Sequence, residues 1–70
     1  MFNYIEAFLE QNPDARLSIA LVNSMGGGKK YIVDLVDFKK REVMARGSDY
    51  NLEDAMNQLD HFINVDHLTL

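Results

Sequence analysis

The chain has seventy residues, no cysteine, eleven acidic and seven basic side chains, a net charge of -4 and a pI near 4.8. That length makes one domain, 1–70, which buries only about 60% of the surface its unfolded form exposes. The missing cysteines exclude disulfides, thiolate metal sites and thiol catalysis, and the acidity argues against a general grip on phosphate backbones, a question the basic middle of the chain keeps open locally.

Asn3 with Glu6 three residues later fits a capping box and predicts a first helix that begins there. Ile5, Phe8 and Leu9 recur at i, i+3 and i+4 as its apolar stripe, with Glu6 and Glu10 turned to water. Pro13 forces the helix to end near Gln11 or Asn12, and Asn12-Pro13-Asp14 reads as a turn. This opening stretch has neither a basic leader nor an uninterrupted apolar run, so no signal peptide or membrane span is expected, and the chain reads as cytoplasmic.

Leu17 to Val22 and Tyr31 to Phe38 are rich in β-branched and aromatic residues. The glycine-rich stretch Ser24 to Lys29 between them makes a hairpin connection. After a charged turn at Asp37 to Lys40, Arg41 to Arg46 returns as a third strand, with Val43 and Ala45 on one side and Glu42, Met44 and Arg46 on the other. Gly47 to Tyr50 is expected to be a loop, and Asn51 with Asp54 caps a second helix. Leu52, Ala55, Met56, Leu59, Phe62 and Ile63 give that helix the strongest period in the chain. Asn64 to Leu70 has no deciding period, and its end frays unless Leu68 or Leu70 docks.

The predicted fold is therefore α+β, in the order α-β-β-β-α, with two helices on one face of a three-stranded antiparallel sheet. The opposite face still carries apolar side chains, with Ala20, Val22, Ile32 and Val36 as candidate contacts and a homodimer as one use of them. Which alternating set faces the helices stays open, because a one-residue slip exchanges the two.

Charge sorts by segment. Arg16, Lys29, Lys30, Lys39, Lys40, Arg41 and Arg46 all fall in the strand region, whereas the helical flanks hold Glu6, Glu10, Asp14, Asp49, Glu53, Asp54, Asp60 and Asp66 and no lysine or arginine. An acidic helical layer over a mildly basic sheet steers charged partners.

Helix, three antiparallel strands and helix resembles the topology of double-stranded RNA-binding domains over nearly the whole chain. The resemblance implies duplex contact through lysines at the start of the last helix. Asn51-Leu52-Glu53-Asp54 stands in that place, and its two carboxylates would repel phosphates. In size, acidity and topology the chain also resembles small anti-CRISPR and other anti-defence proteins encoded by phages and mobile elements. That likeness implies action by occlusion of a host nucleic-acid-handling protein.

No catalytic constellation is expected. Gly26-Gly27-Gly28-Lys29-Lys30 lacks the leading glycine, the following Ser or Thr and the helix of a phosphate-binding loop. His61 and His67 are six apart, a spacing that makes no zinc site. Ser18, Ser24 and Ser48 have no predictable base, and Glu53 and Asp54 diverge by about 100° on a helix. The expectation is a non-catalytic protein-binding module without cofactor or metal that works through Glu6, Glu10, Glu53, Asp54 and Asp60. The alternative is a nucleic-acid-binding module using Lys29, Lys30, Lys39, Lys40 and Arg41.

Overall fold

The computed structural model describes residues 2–66. Helix α1 (Asn3–Gln11) is followed by strands β1 (Ala15–Asn23), β2 (Lys29–Asp37) and β3 (Glu42–Asp49) and by helix α2 (Leu52–Asp66). The strands form one antiparallel sheet in the order β1-β2-β3, and the fold is α+β as expected. The expectations for Leu68, Leu70 and His67 lie outside the described residues.

Alternation along β2 decides which face is covered. Val33 and Leu35 are completely buried, and their cross-strand partners Ala45 and Gly47 are buried with them. Ile5 and Phe8 of α1 and Ala55, Leu59 and Ile63 of α2 complete this core. Helix α2 packs on β3 and β2, while α1 leans mainly on α2 and touches β1 only slightly. The helical layer is therefore off-centre. Ala20, Val22, Ile32 and Val36 occupy the opposite face, which no element covers among the described residues.

Three local expectations are corrected. Gly47, Ser48 and Asp49 belong to β3 rather than to a loop. A glycine inside a strand marks close approach of another backbone, and a Cβ at Gly47 would collide with the Ala55 carbonyl and lie 3.0 Å from the Leu59 nitrogen. Glycine is required there because α2 lies directly on β3.

The strict alternation expected for the third strand also fails. The β2–β3 register shifts between Leu35 and Val36, so that Ala45 opposes Leu35 while Val43 opposes Val36. This bulge puts Val43 on the open face and Ala45 in the core.

The third correction concerns the first helix. Phe2, not Asn3, is the N-cap residue, and no side chain of its own makes a capping bond. Instead the Tyr4 and Ile5 amides donate to Asp60 Oδ1 of α2, at 3.0 and 2.9 Å. A tertiary carboxylate satisfies the orphan donors of the first turn and sits at the positive end of the helix dipole.

Helix α2 is capped as expected. The Glu53 and Asp54 amides donate to Asn51 Oδ1 at 2.8 and 3.3 Å. Replacing Asn51 by Ala should lower stability by about 1 kcal/mol. A urea midpoint unchanged within error would show that neighbouring carboxylates cap the helix unaided.

The turn after β2 is closed by Asp37, which is buried and accepts at Oδ1 from the Lys39 and Lys40 amides at 3.1 and 3.2 Å. Gly27 and Gly28 take φ of 97° and 74° in the β1–β2 loop, a conformation that costs glycine nothing.

Candidate functional site

Four of the five acidic candidates are exposed. Glu6 and Glu10 stand one turn apart on α1, and Glu53 and Asp54 occupy the first turn of α2. Among the described residues none of the four is within salt-bridge distance of a basic group. Asp60 differs from them: it is partly buried and committed to the first turn of α1.

The two helices solve the dipole problem unequally. Glu53 and Asp54 at the start of α2 are favourably placed, but Glu10 lies in the last turn of α1, where a negative charge opposes the dipole and repels Glu6 one turn away. Neither helix has a basic residue in its last turn. Glu10 is thus held against local electrostatic preference.

Most of the basic groups facing the open side of the sheet are engaged within the molecule. Arg46 makes a two-bond contact with Asp34 across β2 and β3, at 2.6 and 3.1 Å. That hydrogen bond and the charge of Asp34 raise the pKa of the guanidinium, which makes it still harder to deprotonate. Arg16 Nη1 donates to the Pro13 and Ala15 carbonyls at 2.6 and 2.9 Å, and its guanidinium lies over the Phe38 ring. Lys30 Nζ lies 5.8 Å from the centre of the Tyr50 ring, whose hydroxyl is bonded to Ser24 Oγ.

This leaves Lys29 at one end of β2 and Lys39, Lys40 and Arg41 at the other as the exposed basic groups whose side chains have no such partner among the described residues. A strand of nine residues separates them by roughly 27 Å. They form two patches rather than a stripe.

Two further surfaces follow from where the helices land. The open sheet face carries Ala20, Val22, Ile32 and Val36 with Val43, and the Asp34–Arg46 pair interrupts this set. On the helix side, the layer stops short of β1, leaving Ile19 51% and Leu21 50% exposed although both share a face with the core. Phe2, Ile19, Leu52 and Met56 line an apolar cleft of about 420 Å³ there, with Glu53 among its walls. The amino-acid pattern did not single out this cleft, because Ile19 and Leu52 read as ordinary core positions.

Among the described residues no group of three or more His, Asp or Glu side chains could hold a metal ion. No helix is long and apolar enough to cross a membrane. Compared with known proteins, the chain matches no family model, no curated protein and no solved structure.

Proposed function

We propose that this chain is a non-catalytic binding protein whose acidic helical side contacts a basic surface of another protein. The observation that carries this reading is Glu10, an exposed carboxylate kept in the last turn of α1 one turn after Glu6. Departures from local preference that bring no structural gain are where function is expected. With Glu53 and Asp54 the helices offer uncompensated negative charge, of the kind that competes with a nucleic-acid backbone for a basic groove. The finer version is an inhibitor of the anti-defence type that occludes a host nucleic-acid-handling protein, and its support is size, acidity and topology.

Reversing Glu6 and Glu10 to Lys tests the reading in two directions. The single change Glu10→Lys should stabilise α1 by about 0.5 kcal/mol, since it removes a repulsion and suits the dipole. The double reversal should abolish capture of DNA-binding proteins from a bacterial lysate, a capture that the wild type loses as salt rises. An identical captured set for wild type and double variant would sink the proposal. So would a duplex RNA or DNA mobility shift that disappears on neutralising Lys39, Lys40 and Arg41.

A further inference from the structure

We infer that the outer edge of β1 pairs with the same edge of a second copy, giving a two-fold dimer with a continuous six-stranded sheet. The inference is independent of the acidic-surface reading above. The Phe38 amide donates to the Asp14 carbonyl and the Ser24 amide to the Gly28 carbonyl, one at each end of the β1–β2 ladder. Bonded and non-bonded pairs alternate in an antiparallel ladder. With nine continuous pairs between those ends, Arg16, Ser18, Ala20 and Val22 turn their amides and carbonyls toward β2. Leu17, Ile19 and Leu21 must then turn theirs outward, and no strand pairs with that edge among the described residues. The outward groups of Ala15 are already used, its amide by the Asn12 carbonyl and its carbonyl by Arg16.

Protected edges carry charges, prolines or bulges. From Leu17 to Val22 the β1 edge has none of these, and its pairing to β2 is unbroken. The other edge, β3, has a bulge and the charged residues Glu42, Arg46 and Asp49. One open edge and one guarded edge favour a closed pair over an extending fibre.

The occupant is fixed by the chemistry of the edge: a row of free amides and carbonyls takes a strand, flanked here by apolar side chains. A second β1 matches. Antiparallel pairing about Ile19 sets Leu17 of one copy opposite Leu21 of the other and forms about six backbone hydrogen bonds. The same contact brings a partner strand alongside half-exposed Ile19 and Leu21 and the apolar cleft that Ile19 lines. Three of the nine buried apolar residues are alanines, so the monomer's own core is small, and a second copy supplies the burial that a chain of this size lacks.

Sedimentation of the wild type, Ile19→Lys and Val43→Lys over a range of concentrations, combined with residue-resolved hydrogen exchange, tests the pairing. The wild type and Val43→Lys should be dimeric, and their dimers should tighten with salt because each wild-type copy carries -4 and the variant is still net negative. Ile19→Lys should be monomeric with an unchanged fold. In the wild type the Leu17, Ile19 and Leu21 amides should exchange about tenfold more slowly in concentrated than in dilute samples, while the Ser18, Ala20 and Val22 amides stay protected in both. A monomer at every concentration overturns the inference. A dimer broken by Val43→Lys and not by Ile19→Lys does so as well, since it would place the contact on the open sheet face.

Discussion

Gly47→Ala is expected to cost more than about 3 kcal/mol, the largest effect of any single-methyl change in this chain. The added Cβ meets backbone on both counts, the Ala55 carbonyl and the Leu59 nitrogen, and neither can rotate away as a side chain would. Relief requires α2 to lift from the sheet, where Ala55 and Leu59 share one fully buried core with Val33 and Leu35 of β2. A chain of seventy residues has a total stability on the order of 5 kcal/mol, so the variant should be largely unfolded or molten under mild denaturant. Gly26→Ala is the matched control. It adds the same methyl to open space in the β1–β2 loop, at a glycine whose φ is not positive, and should shift the urea midpoint little. Equal midpoints for the two variants would mean that α2 does not rest on β3 as closely as described.

The same glycine shows where the amino-acid pattern stopped being legible. Gly47-Ser48-Asp49 has the composition of a loop, and only the position of α2, set by contacts distant in sequence, makes it a strand with a glycine-sized gap. Helix α2 could be read because Ala55, Leu59 and Ile63 repeat every four residues and bury together. The sheet faces were half legible. Ala20, Val22, Ile32 and Val36 form one set by alternation alone, but alternation is blind to which set the helices cover. It is also blind to how far they reach. The off-centre layer that leaves Ile19 and Leu21 half-exposed depends on α1 leaning on α2 rather than on β1. Charge segregation was legible only in part: the helices hold acidic residues and no lysine or arginine, but Asp49 lies in β3, and the strands carry Asp34, Asp37, Glu42 and Asp49 against Arg16, Lys29, Lys30 and Arg46. The role of each carboxylate within it was not legible, as Asp60 illustrates.

Asp60→Ala should destabilise the protein by about 2 kcal/mol, more than removal of an ordinary exposed acid on a helix. Its Oδ1 accepts from two amides of another helix, Tyr4 and Ile5, and no side chain within α1 takes over that task. With nine residues α1 is too short to hold together without its cap and its docking on α2. Loss of Asp60 should therefore release α1 before the sheet, exposing Phe8 and the Ile5 side of the core. Exchange at the Tyr4 and Ile5 amides should accelerate by about tenfold or more while Val33 and Leu35 remain protected. Asp60→Asn keeps an acceptor oxygen but gives up the charge at the positive end of the dipole, so it should fall between Ala and wild type. This ordering separates Asp60 from Glu6, Glu10, Glu53 and Asp54, whose neutralisation one at a time should shift stability by less than about 1 kcal/mol, in either direction, while weakening partner capture. If Asp60→Ala melted like wild type and lost the partner as completely as the Glu6 and Glu10 reversal, the residue would be a contact rather than a cap.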